Sequence, residues 1–255
     1  MSTLEAIFFG IVQGLTEFLP VSSSGHLQLS QYFLGLENLK NFILFDLICH
    51  LGTLVAIVAV LYPQIKAMDR NRFRQVILGT LPLFPLVLLL KPIKVLFDAP
   101  QYLGFFFLFT ALMLSMGIKF GCNKNPQLLT KHKWRDALVI GIFQAVAVLP
   151  GISRSGSTIS GARLLGWNQQ EAVTFSFLLA IPAILGGTCL EVLQLMRHPL
   201  PTLSLTQYFI GFITSFGIGY FALSWTKRLA TQNKFFYFAW YCFILGIATV
   251  FYFYS

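Results

Sequence analysis

GIVQGLTEFLPVSSSG runs from Gly10 to Gly25, and GIFQAVAVLPGISRSG from Gly141 to Gly156. Laid side by side without gaps, at an offset of 131 positions, they share six identities in sixteen: Gly, Ile, Gln, two Ser and the closing Gly. Both are apolar, both are broken in the middle by Pro, and both resume in a hydroxyl-rich stretch. They lie in two interrupted regions, about 3–35 and 137–168, each followed by three longer apolar runs. The chain therefore reads as a tandem repeat with halves near 1–125 and 126–255, forming a single membrane domain.

Composition names the solvent. Of 255 residues, 56% are hydrophobic and 11% charged, against roughly 25% charged in an ordinary soluble domain. Nine acids and eighteen bases cannot dress the surface of a globule this size. This argues against a soluble enzyme, a disordered tail and a secreted disulfide scaffold. The apolar segments are continuous rather than alternating, so the fold class is an all-α polytopic membrane protein. Six stretches reach the ~20 residues a span requires: about 43–62, 75–96, 102–120, 172–193, 205–224 and 235–254.

Twelve of the eighteen bases fall in three loops: Lys66, Arg70, Arg72 and Arg74; Lys119, Lys124, Lys131, Lys133 and Arg135; and Lys227, Arg228 and Lys234. If the six stretches alternate, all three loops lie on one side, which is then cytoplasmic. Lys91 and Lys94 sit at the opposite end of the second stretch and require snorkelling. The same bias accounts for the net charge of +9 without nucleic acid. Cys49, Cys122, Cys189 and Cys242 form no CxxC pair and suggest neither zinc nor a disulfide framework. The first base is Lys40, so the N-terminus lacks the basic segment of a secretory leader.

Three spans per half is an odd number, so the second half is expected upside down relative to the first, as in the inverted repeats of transporters. If each interrupted segment dips in and returns, one enters from outside and the other from the cytoplasm, and their tips meet near the midplane. Irregular backbone at that depth needs protein or a wet cavity around it. The alternative makes both segments ordinary spans kinked at Pro.

The tips carry the polar residues. Gln13 and Glu17 are four apart and share a helix face. Pro20 ends that helix, and Ser22, Ser23 and Ser24 suit the N-cap of the next, with His26 on its first turn. The second segment repeats the pattern with Gln144, Pro150-Gly151, then Ser153, Arg154, Ser155, Ser157 and Thr158. Two helix N-termini, a ring of hydroxyls and a guanidinium favour an oxyanion, and the Arg154 fork suits phosphate. Glu17 would repel a bare phosphate; it becomes useful if a divalent cation lies between them or if it handles a proton. Blander readings are serines that only glue helices together, a structural Glu17–Arg154 pair and an interior His26. Asp46 and His50 either border the site or are interfacial. Glu171, Glu191 and His198 read as interfacial, and His132 as solvated. No Walker A loop, HExxH or dinucleotide fingerprint is present.

At these residues the chain resembles the undecaprenyl-diphosphate phosphatase family, the integral membrane phosphatases linked to bacitracin resistance. The resemblance spans essentially the full length and rests on Gln13-Gly-Leu-Thr-Glu17 running into Phe18-Leu-Pro-Val-Ser-Ser-Ser-Gly-His26, and on Pro150-Gly-Ile-Ser-Arg-Ser-Gly-Ser-Thr158. The family pattern begins with Glu or Gln, then Glu four residues on. Gln13 here removes a paired-carboxylate scheme and leaves Glu17 as the sole acid. Ser24 stands where relatives often have Thr.

The resemblance implies six spanning helices plus two re-entrant helical hairpins in an inverted-topology repeat, set in the bacterial inner membrane with the site open to the periplasm. It also implies a phosphatase dependent on Mg²⁺ or Ca²⁺. The reaction would remove the terminal phosphate of a C55 polyprenyl diphosphate and yield the monophosphate carrier for peptidoglycan and other envelope polymers. On this reading Glu17 is the metal ligand, and Arg154 clamps the phosphates with Ser153, Ser155 and Thr158. Gln13, Ser22, Ser24 and Gln144 complete the substrate-binding set. His26 acts as base or nucleophile, with Ser23 the second choice of nucleophile. The prenyl tail stays in lipid or in a Phe-lined groove. The expected partners are this lipid and the membrane, without nucleic acid and with a homo-oligomer left open. A transporter or flippase of a polyprenyl phosphate is the rival reading, since it would use the same anion site without bond cleavage. A structural scaffold leaves the buried charges unexplained.

Overall fold

The computed structural model describes residues 1–36, 42–89, 99–121, 133–195 and 204–255. Regular structure is helical throughout, with no strand among the described residues. The N-terminal half holds α1 (Thr3–Thr16), α2 (Ser23–Phe33), α3 (Ile43–Val60), a short α4 (Tyr62–Lys66), α5 (Arg70–Thr80) and α6 (Leu103–Lys119). The C-terminal half holds α7 (Trp134–Val146), α8 (Arg154–Leu164), α9 (Gln169–Leu195), α10 (Leu205–Thr231) and α11 (Phe236–Tyr254).

Five segments among the described residues are long and apolar enough to cross a membrane: α3, α6 with the turn before it, α9, α10 and α11. They turn large apolar side chains outward, including Leu112, Phe209, Phe221, Trp240, Ile244 and Phe251. A water-soluble surface does not carry apolar area on this scale, so the chain is a multi-pass membrane protein. The expected stretch 75–96 is not a continuous α-helix. After α5 the backbone tightens into a 3₁₀ segment, Leu81–Leu89, with Pro85 inside it. Pro82 and Pro85 have no N–H to give an α-helical ladder. Its far end, with Lys91 and Lys94, lies outside the described residues, as do Lys40, Cys122, Lys124, Lys131, His132 and His198.

The four helices of the two interrupted segments are too short to cross alone. α1 and α7 have 14 and 13 residues, α2 and α8 have 11 each; at ~1.5 Å per residue the longest extends about 21 Å, against ~30 Å of hydrocarbon.

The halves interlock rather than sit side by side. α1 packs on α10 while α7 packs on α5; α3 packs on α10 while α5 packs on α9; α3 meets α9 and α6 meets α11. Glycines set the close approaches. A Cβ on Gly10 would lie 3.2 Å from the Gly211 carbonyl of α10, and one on Gly141 would collide with the Gly79 carbonyl of α5. At the base-rich end, Arg72 lies over the rings of Trp167 and Phe175, 5.2 and 4.9 Å from their centres. There Trp167 Nε1 donates to Asp136 Oδ2 at 3.3 Å, and Arg163 reaches the Trp167 and Gly121 carbonyls at 2.9 and 3.2 Å.

Candidate active site

The two motifs form helix–bend–helix units with the same internal wiring. Glu17 is the C-cap of α1, its N–H bonded to the Gln13 carbonyl at 3.0 Å. Pro20 follows, and Ser22, at φ 74°, caps α2 by accepting from the Gly25 N–H at 3.4 Å. In the second unit Gly151, at φ 87°, makes the bend, and Ser153 caps α8 by accepting from the Gly156 N–H at 3.0 Å. Each cap touches the hydroxyl two residues on: Ser22 with Ser24 at 3.4 Å, Ser153 with Ser155 at 3.3 Å. The bends meet. A Cβ on Gly25 would lie 2.8 Å from Gly151 Cα, and one on Gly156 would lie 3.4 Å from the Pro20 carbonyl.

Between the bends lies a cavity of about 280 Å³. Its walls take equivalent residues from both motifs: Thr16 and Ala147, Glu17 and Val148, Ser22 and Ser153, Ser23 and Arg154, Ser24 and Ser155. Each pair is 131 positions apart. Ile152, His50 of α3, and Ala183, Ile184, Gly187, Thr188 and Glu191 of α9 complete it.

Glu17 is the hub. Its Oε1 is paired with Arg154, and its Oε2 accepts from Ser23 Oγ at 2.8 Å and Gln13 Nε2 at 3.1 Å. His50 Nε2 stands 3.7 Å from the same oxygen. The carboxylate is buried, at 7% exposure, where an uncompensated charge would be very costly. Two groups beside it are unsatisfied: Arg154 Nη1 and Gln13 Oε1. The guanidinium therefore holds Glu17 with one arm and leaves the other without a partner, and a planar fork of this kind suits phosphate.

The structure brings Glu17, Ser22, Ser23, Ser24, Ser153, Arg154 and Ser155 into the cavity wall, with Gln13 directly behind Glu17. Besides Gln13, three expected site residues are not among its lining. His26 Nδ1–H donates to the Ser22 carbonyl at 2.7 Å, leaving Nε2 to accept from the Tyr241 hydroxyl at 2.8 Å. Its ring stacks on Tyr241 and meets Phe107 edge-on. Gln144 Nε2 points to the Gly79 carbonyl at 3.4 Å. Thr158 Oγ1 bonds the Arg154 carbonyl and Ser176, at 2.9 and 2.6 Å. His50 and the α9 residues enter instead. Asp46 and His50, four apart, were a visible pair, yet α3 is apolar on nearly every face and its pattern does not say which side meets the bends.

The family model for bacitracin resistance protein BacA matches residues 6–248. The chain belongs to the BacA family. A protein of Protochlamydia amoebophila named undecaprenyl-diphosphatase is 58% identical, the match covering 99% of this chain and 99% of the relative. Proteins of the same name from Carboxydothermus hydrogenoformans and Bacteroides fragilis are 38% and 35% identical, over 97% and 98% of this chain and 96% and 98% of theirs. BacA relatives thus align end to end with this sequence, both bends included.

The residues also bear on a divalent cation. No group of three or more His, Cys, Asp or Glu converges on a metal position among the described residues. The BacA cavity is lined by two carboxylates, Glu17 and Glu191, and the unsatisfied amide oxygen of Gln13 lies directly behind Glu17. That set suits a hard cation that takes its remaining ligands from phosphate oxygens and water, the usual manner of Mg²⁺.

Proposed function

We propose that this chain is an undecaprenyl-diphosphate phosphatase, hydrolysing the terminal phosphoanhydride of a C55 polyprenyl diphosphate to the monophosphate and inorganic phosphate. The observation that carries this reading is the buried Glu17–Arg154 pair with a free guanidinium arm, facing serines at two helix N-termini. The relatives, each named for a diphosphatase, support cleavage over transport.

Arg154 Nη1 and the N-termini of α2 and α8 receive the phosphates, with Ser153 and Ser155 as hydroxyl donors. Ser23, already donating to Glu17 Oε2, is aligned to attack the terminal phosphorus while the carboxylate takes its proton. The bridging P–O bond breaks, prenyl monophosphate leaves, and water then releases phosphate from the serine. His26 fixes the Ser22 carbonyl and so the bend that aims Ser23. Mg²⁺ or Ca²⁺, held by Glu17, the Gln13 oxygen and phosphate oxygens, would supply neutralisation of the charge that develops at the phosphates. Positioning and electrostatics of this kind are most of what phosphoryl transfer needs.

We infer an inverted-topology repeat with halves 1–125 and 126–255, two re-entrant hairpins (α1–α2 and α7–α8) and six spans, the second of them beginning with α5. The exchanged packing, α1 on α10 against α7 on α5, supports it, as do the paired residues in the cavity wall. The site opens to the periplasm of an inner-membrane protein: His50 lies in the first half of α3 and Gly187–Glu191 near the end of α9, far from the basic loops.

The test is direct. Purified protein, a C55 prenyl diphosphate and Mg²⁺ should release phosphate, and EDTA should stop it. Binding without phosphate release would overturn the phosphatase reading in favour of transport. Quenching with labelled substrate should trap acid-stable phosphoserine at Ser23. Acid-labile label at His26 would move the nucleophile there, and no label with inversion at phosphorus would make it water.

A further inference from the structure

The cavity of about 280 Å³ is smaller than the ~300–1,000 Å³ that hold drug-sized ligands. It accepts a diphosphate head and no fifty-five-carbon tail, so the wall must open toward lipid. Most of the lining is buried or half-buried; the exposed members are Gly187 and Glu191 of α9. These are one turn apart on a membrane-spanning helix, on the face that also carries Ala183. The opposite side of the helix presents Leu185, Val192 and Leu193 outward, at 46, 40 and 58% exposure. At Gly187 the wall is bare backbone, and a Cβ there would meet nothing within 4 Å.

We infer that Gly187 is the sill of a lateral portal: the prenyl chain crosses α9 at this residue, from the bilayer to the diphosphate site, and the missing side chain sets its clearance. This rests on the phosphatase reading for its substrate. Gly187 touches the tail and leaves the chemistry alone. Glu191, a turn nearer the outer end, marks the side from which phosphate departs to water.

The structure supplies its own control. Gly186 is equally exposed, and a Cβ there also meets nothing within 4 Å, yet it does not line the cavity. At neither position does an added Cβ meet an atom, and each substitution replaces a helix glycine with a better helix former, so folding is preserved in both.

Gly187→Ala, Gly187→Val, Gly187→Leu and Gly186→Leu are assayed on C55 prenyl diphosphate in detergent micelles, with equilibrium binding of the same lipid followed alongside turnover. The expected result is a loss in kcat/KM graded with side-chain volume at 187, reaching at least tenfold for Leu and carried mainly by KM, while Gly186→Leu matches the wild type. Equal activity and binding across the set would overturn the portal, as would equal losses from Gly186→Leu and Gly187→Leu. Weakened binding specific to residue 187, with no turnover even in the wild type, would retain the portal and retire the phosphatase reading.

Discussion

On the proposed mechanism Arg154 divides its guanidinium between two tasks, and substitutions should separate them. Arg154→Ala removes the phosphate donor and also leaves Glu17 buried without its counter-charge. The first effect should lower kcat by about 10²–10³-fold, the range for losing one transition-state donor. The second should destabilise the protein by about 3 kcal/mol, the lower end for breaking a buried pair. Adding Glu17→Gln should restore much of the thermal stability and none of the turnover. Melting curves and phosphate release on the two variants check both halves of this expectation. Glu17→Gln alone should lose activity and the response to added Mg²⁺ together; near-normal turnover that EDTA still abolishes would remove Glu17 from the cation.

At the scale of elements, the helix pairs that frame the site approach at glycine. In the α6–α11 pair, a Cβ on Gly104 would lie 2.7 Å from Val250 N and 2.8 Å from the Gly246 carbonyl. Gly104→Leu must push the two backbones apart. Overpacking of this kind typically costs ~1–3 kcal/mol, and a depressed Tm in detergent should report it. Gly217 of α10 has open space around its Cβ position, so Gly217→Leu should leave the Tm unchanged. Elements differ in how well composition foretells them. The five long spans are legible because apolar length is a one-dimensional property. The bends are legible because Pro, Gly and Ser act locally on capping and backbone angle. The 75–96 stretch is apolar enough to pass the same length criterion, yet Pro82 and Pro85 deprive its middle of helix donors. Gly187 and Glu191 escape, and His50 is left between bordering the site and lying at the interface, because α3 and α9 are apolar around most of their circumference and membership in the site depends on which face packing turns inward. His26 looks like a cavity residue from its place beside the serines, but one helical turn carries its ring toward Tyr241.

For the whole molecule, the proposed sidedness rests on where the bases gather. Gln232 and Ser204 lie at opposite ends of α10 and both are exposed. In a background with Cys49, Cys122, Cys189 and Cys242 replaced, a membrane-impermeant maleimide should label Ser204→Cys on intact spheroplasts. Gln232→Cys should label only after permeabilisation. Labelling in the reverse order would turn the cavity toward the cytoplasm.

The Glu17–Arg154 contact joins residues 137 positions apart, and this imposes an order on biogenesis. A ribosome feeding the chain into the membrane delivers the acid well before its guanidinium has been made. Through that interval the first bend carries a carboxyl group without its guanidinium, so the N-terminal helices have reason to linger near the insertion machinery until α8 emerges. Catalytic competence would then arrive in a single late step, when the second bend docks.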